Sequence, residues 1–298
     1  MQVNPQYMTG LAGSLDMITS SEQQLTQELA SGSRVNQLGE DPVAAGENVM
    51  LQDQISRDDS FSLTASSTQS MLQVSDSALG TVVSQLTTAI SLAMEANNGT
   101  LNASDRQSIA NQLSGIRDEV VSLANTTYQG RYIFSGSLGS TAPFTLDTSS
   151  SPAVATYNGD GDVRSLTTPN GQKIQLNVPG GQIFGSGSSG VLGTLNQLVA
   201  DFSSGTASPT AAADTQALNG ALEHVSQQRV LIDNSMSRLT AATNYATSEK
   251  TQLTAAQTTL LQADVAQIAT QLSTAETQQS ALSQMMATLG KQSLFNDL

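Results

Sequence analysis

The sequence predicts a mainly α chain with a small β insert: long antiparallel helices, a terminal coiled coil and an inserted β domain. Three observations carry this. Apolar ladders that step by 4 and 3 residues occur near both ends, Leu11, Leu15, Ile18, Glu22, Leu25 and Leu29 at one and Leu261, Val265, Ile268, Leu272, Ala275, Gln279, Leu282, Met286 and Leu289 at the other. Such spacing keeps one stripe on one side of a helix. Prolines are absent between positions 43 and 142 and after 209, which leaves room for long helices. Residues 138–190 break the pattern with nine glycines and four prolines.

The elements follow in order. Residues 8–30 form an amphipathic helix that Ser31-Gly32-Ser33 ends, with a loop over 31–41. Asp41-Pro42 supplies an N-cap and a first-turn proline for a second helix, which runs to about Glu95 and stops at Asn97-Asn98-Gly99. Ser104 to Gln107 has capping-box spacing and opens a third helix to about Thr127, striped by Ile109, Leu113, Ile116, Val120 and Leu123. Lys173 to Val178 alternates as a half-buried strand, with Asn170-Gly171 as the turn and Val163 to Thr168 as its partner. Asn158 to Gly161 marks a second turn after Val154 to Tyr157. Helix resumes over 191–203 and again from Ser208-Pro209 to about Gly290. Eighty helical residues would span roughly 120 Å, so that stretch must contain a break or rest on neighbouring subunits. The expected domains are 1–40 with 246–298 (terminal helices), 41–137 with 191–245 (central bundle) and 138–190 (β insert).

Composition narrows the function. The 298 residues include no Cys, no Trp, one His and 4% aromatics, and the net charge is −14. So few aromatics predict thin, elongated packing rather than one thick core. The scattered basic residues offer no patch for a phosphate backbone, and the acidity disfavours anionic lipid; neither nucleic acid nor membrane is an expected partner. No apolar run of about 20 residues is present and the N-terminus has no ordinary secretory pattern, which on its own reads as cytoplasmic.

The candidate chemistry is sparse. Gly185 to Gly190 matches G-x-G-x-x-G without a parallel βαβ context, which favours a hinge over a dinucleotide loop. Asn158, Asp160 and Asp162 start like a calcium loop, but Val163 and Pro169 occupy its glycine and glutamate positions, so a β-turn is the better reading. His224 lacks the partners for zinc or a catalytic triad and reads as a surface or helix-interface residue. The acceptor triplets at Asn98, Asn102 and Asn125 arise readily in a chain so rich in Asn, Ser and Thr. No catalytic residue, cofactor or metal is expected. The expected functional residues are an assembly interface: Leu11, Leu15, Ile18, Leu25, Leu29, Leu261, Val265, Ile268, Leu272, Leu282, Met286 and Leu289.

Several blocks resemble the flagellin-like family of bacterial flagellar subunits. They are Leu29 to Asn36 followed by Glu40 to Gly46, Ala96 to Thr100 followed by Ser104 to Arg106, and Asn125 to Gly136. Within the last, Gly130-Arg-Tyr-Ile-Phe-Ser-Gly136 resembles the hook–filament junction branch rather than flagellins, as does Ser293 to Leu298 at the C-terminus. The resemblance implies an extracellular structural subunit without enzymatic activity, exported by the flagellar type III route. The implied partners are flagellin, hook-associated protein 1, further copies of the chain and a flagellar export chaperone. Two alternatives stand beside it: a flagellin, and a ligand-binding or enzymatic module in the β insert built from Asp147, Asp160, Asp162, Arg164 and Lys173.

Overall fold

A computed structural model of the chain describes residues 5–37, 39–206 and 208–294. Two units emerge: Met1–Arg57 with Ser248–Leu298, and Asp58–Thr247. The helices are α1 (Pro5–Ser31), α2 (Pro42–Ala96), α3 (Ala103–Ala124), α4 (Gly180–Phe184), α5 (Gly190–Ser203), α6 (Ala211–Leu261) and α7 (Val265–Leu294). Six short strands lie between α3 and α4: β1 (Thr127–Tyr128), β2 (Arg131–Tyr132), β3 (Phe144–Asp147), β4 (Val154–Tyr157), β5 (Ser165–Thr167) and β6 (Lys173–Gln175).

In the first unit α1 pairs with α7. The pair is antiparallel, because Ser33 bridges Gln262 while Glu22 bonds Gln279. The loop after α1 ties down the α6–α7 turn. Arg34 N donates to Leu261 O (2.8 Å), Ala263 N donates to Gly32 O (3.0 Å), and Arg34 Nε donates to Leu260 O (2.9 Å). As the sequence predicts, Asp41 caps α2, accepting from Ala44 N at 2.9 Å.

In the second unit α2 presents a heptad seam. Ala65, Leu72, Leu79, Leu86 and Ala93 recur every seven residues, and Phe61, Thr68, Ser75, Val82, Ala89 and Ala96 form a second row, all buried. A strict seven-residue repeat keeps one face inward only if the helix supercoils left-handedly. On α6 the buried row is Leu218, Val225, Ile232, Leu239 and Ala246, also spaced by seven. Cross-links from Asn97 to Thr215, Asp76 to Arg229 and Gln69 to Thr240 make these portions of α2 and α6 antiparallel. Ile109, Leu113, Ile116 and Val120 of α3 and Leu192, Leu195 and Leu198 of α5 complete the core. Burying each such leucine contributes about 1.5–3 kcal/mol.

The β segments form three separate two-stranded antiparallel ladders: β1–β2, β3–β4 and β5–β6. Their apolar residues join the helical core, and an aromatic knot fixes them: Phe184 meets Phe134 and Phe144 edge-on at 5.6 and 5.5 Å, and Phe144 leans on Tyr157 at 5.1 Å. The β5–β6 hairpin falls where alternation and the Asn170-Gly171 turn predict it. Val154–Tyr157 is a strand as expected, but it pairs with the preceding Phe144–Asp147 rather than across the turn at Asn158 to Gly161.

Other expectations need correction. The third helix is capped by Asn102, whose side chain accepts from Asp105 N at 2.8 Å; Ser104 lies inside the helix, its backbone carbonyl accepting from the Ser108 hydroxyl. That helix ends at Ala124, where Asn125 turns to hold both the N–H and the C=O of Phe144. The Ser208-Pro209 start is displaced: α6 begins at Ala211, with Thr210 O accepting from Asp214 N. The C-terminal ladder is not one helix, since Leu261 closes α6 and Val265 opens α7 under an Asp264 cap that accepts from Ala266 N and Gln267 N. A stretch of α2 is, by length and composition, apolar enough to cross a membrane (mean hydropathy 1.3). Leu79, Val82, Leu86, Ala89 and Ile90 of that helix pack in the core instead.

Candidate assembly interface

The α1–α7 pair is a narrow seam. On α1, Leu11 is buried, Leu15, Ile18 and Leu25 are half-buried and Leu29 is 38% exposed. On α7, Ile268 is buried, Leu272, Leu282, Met286 and Leu289 are half-buried and Val265 is 55% exposed; Leu261, at the end of α6, is half-buried. Ala275 is also buried on α7. Mid-seam, Gln279 Nε2 donates to Glu22 Oε2 at 2.9 Å, a polar rung where both ladders carry a polar residue. Off the seam, Met17 (68%) and Met285 (48%) point to solvent. An α1–α7 pair thus buries one stripe of each helix thinly and leaves apolar side chains outside it.

The block over residues 31–46 does structural work that spacing alone did not assign. Arg34 pairs with Asp41 at 3.0 Å, and Glu40 Oε2 accepts from the N–H groups of Asn36 (2.6 Å) and Gln37 (3.0 Å). The Ala44 N–H first, and then Arg34, hold the Asp41 carboxyl below its ordinary pKa. The available signal was an Arg placed seven residues before an N-capping Asp. The block over 125–136 is similar in kind. Gln129 and Gly130 both take positive φ (50° and 75°), the geometry of a two-residue hairpin turn, and they set β1 against β2. Ile133 and Phe134 follow it into the core.

The remaining candidates take structural places. Gly185 to Gly190 is the loop between α4 and α5, and Gly187 N donates to Ala155 O on β4 at 2.9 Å. Asp160 accepts from Ser137 N at 2.7 Å and from the Ser137 hydroxyl; that hydroxyl first, then the N–H, lowers its pKa. His224 Nε2 donates to Gln182 O at 2.6 Å. Asp147 accepts from Ser149 N at 2.9 Å. Residues 295–298 of the C-terminal block lie outside the described residues.

Known proteins match this geometry. Residues 9–138 match the family model of the bacterial flagellin N-terminal helical region. Flagellar hook-associated protein 3 of Salmonella typhimurium is 33% identical over 177 residues, 57% of this chain and 53% of that protein, so the match spans about half of the relative. The flagellin of Bacillus subtilis strain 168 is 26% identical over 260 residues, 83% of this chain and 82% of that one. Among solved structures, the flagellar junction protein FlgL of Legionella pneumophila superposes with a TM-score of 0.56 at 16% identity, over 73% of this chain and 100% of that one. The mainly α, flagellin-like fold and the resemblance read from the sequence are both borne out.

Proposed function

We propose that this chain is a structural subunit of the bacterial flagellum that forms the junction between hook and filament. The observation that carries this reading is the α1–α7 pair, whose stripes are thinly covered within one chain and suit packing against neighbouring copies. The higher identity to hook-associated protein 3, 33–38% against 26–31% for flagellins, favours the junction over the filament. In this reading the interface is Leu11, Leu15, Ile18, Leu25 and Leu29 with Leu261, Val265, Ile268, Leu272, Leu282, Met286 and Leu289, arranged as a coiled coil of terminal helices. Residues 1–40 with 246–298 are the assembling domain, 41–137 with 191–245 the central bundle and 138–190 an insert. The partners are flagellin, hook-associated protein 1, further copies of the chain and an export chaperone. The subunit reaches the cell exterior by flagellar type III export and performs no catalysis.

A second reading, a flagellin, is supported by the more extensive alignment with the Bacillus subtilis protein. Deletion of the gene separates the two. Hooks without filaments, with flagellin lost to the medium, are the expected outcome for a junction subunit. Normal filaments would contradict it. Loss of filaments with no flagellin in the medium would favour the flagellin reading.

A further inference from the structure

The guanidinium groups of this acidic chain mostly have partners. Arg34, Arg57, Arg117 and Arg229 each meet an aspartate, Arg106 donates to the carbonyls of Ala96 and Asn98, and Arg238 donates to that of Lys173. Arg131 and Arg164 differ. Among the described residues neither meets a carboxylate, and both line one cavity of about 220 Å³, together with Thr68, Met71, Tyr128 and Tyr132. The Arg131 guanidinium lies over Gly139, its Nε 2.7 Å from where a side chain at that position would begin. Arg164 Nη2 makes only a weak contact of 3.9 Å to Met71 Sδ on α2. The carboxylate beside the cavity wall, Asp160, is already engaged by Ser137.

Thr68 is a second, independent sign. It is 8% exposed, and its hydroxyl makes no hydrogen bond among the described residues. On the same helix the hydroxyls of Thr64, Ser70 and Ser75 all donate to the carbonyl four residues earlier, the usual outlet for a helical hydroxyl. Thr68 forgoes this bond and lines the cavity beside two guanidinium groups that meet no carboxylate, so its hydroxyl is available to a ligand there.

We propose that this cavity binds an acidic sugar, with its carboxylate on Arg131 and Arg164 and its ring hydroxyls on Thr68 and Tyr132. Guanidinium forks match a carboxylate bidentately. Neutral hydroxyls and aromatic rings beside them suit a polyhydroxylated ring rather than a bare anion. The volume lies below the roughly 300 Å³ at which pockets begin to hold drug-sized ligands, and suits one sugar unit. The site is independent of the assembly reading.

The test is an NMR titration of the full chain, following the tyrosine rings, with galacturonate, glucose, inorganic phosphate and an oligogalacturonide. Arg164→Gln and Thr68→Val serve as variants, with folding checked by circular dichroism. The expected result is saturable binding of galacturonate, weakened about tenfold in each folded variant, with glucose and phosphate weaker than galacturonate. An oligogalacturonide that binds as tightly as the monosaccharide supports an acidic polysaccharide as the source; rejection of it with the monosaccharide retained supports the free sugar. No saturable binding, glucose or phosphate binding as tightly as galacturonate, or unchanged affinity in both folded variants would each overturn the proposal.

Discussion

The two units of this chain bury apolar surface differently. Asp58–Thr247 has a thick core of leucines, isoleucines and phenylalanines gathered from α2 to α6. In the other unit the buried large apolar residues, among those described, are Leu11 and Ile268. A helix pair so thinly covered gains little from packing, while its ordering entropy is that of any helix pair. The second unit thus has the burial to stabilise itself, whereas α1 and α7, in the assembly proposed above, would gain most from neighbouring copies.

The largest expected effect falls in the thick core. Leu79→Ala, at a side chain with no exposure, should cost about 3 kcal/mol in urea unfolding of the monomer. Leu272→Ala, half-buried on α7, should change monomer unfolding by less than about 1 kcal/mol and yet abolish incorporation into flagella. Equal costs at the two positions would erase the contrast.

Next is the polar link between α2 and α6. Arg229 holds Asp76 through two bonds of 2.8 and 3.1 Å with both side chains partly covered, whereas the Arg57–Asp53 pair is exposed. Asp76→Ala should lose about 1.5 kcal/mol and Asp53→Ala no more than about 0.5 kcal/mol, as measured by the same unfolding curves.

The α1–α7 rung sharpens the comparison from the other side. Replacing both Glu22 and Gln279 by leucine should raise the helicity of the terminal pair while loosening its register, because a polar rung in an apolar seam specifies alignment more than strength. A single disulfide trap joining α1 to α7 in the present register reads this out: trapping should become less selective in the double variant.

Acidification gives the smallest and most local effects, with opposite signs at different carboxylates. Asp41 and Asp160 have lowered pKa values, so their contribution is present above the ordinary carboxylate value of 3.8 and is lost as pH falls through the folded values. Asp214 is raised, first by burial and then by its neighbour Asp201, so its ionisation disfavours the folded state as pH rises through and above 3.8. Asp214→Asn should therefore be neutral or stabilising at pH 7. Amide signals of Ala44 and Ser137, which donate to Asp41 and Asp160, should shift together with those titrations.

The helices were legible because their punctuation is local. Asp41-Pro42 caps α2 as read, and Asn97-Asn98-Gly99 follows its end. Errors arose where two local signals competed. Asn102 and Ser104 could both cap α3, and the asparagine wins. Ser208-Pro209 precedes the start of α6 because Thr210 instead turns its hydroxyl to Asp201. Length allowed a break or support from neighbouring subunits; the break found at Gln262 to Asp264 is tied to Arg34 and Gly32, more than two hundred residues away. The short helix α4 escaped because it is fixed by the packing of Phe184 on Phe134 and Phe144 rather than by periodicity, and the β1–β2 hairpin escaped because two-residue strands are too short to show alternation. For the interface, the seam stripes were legible as spacing, but the pairing of Glu22 with Gln279 across them was not. The Arg34–Asp41 latch was not, because an ion pair across a loop leaves no period.

Amide hydrogen exchange on the isolated monomer tests the central claim most directly. Strong protection is expected along α2, α3, α5 and α6 between residues 58 and 247, with fast exchange through α1 and α7. Protection of α1 and α7 equal to that of the second unit's core would contradict it.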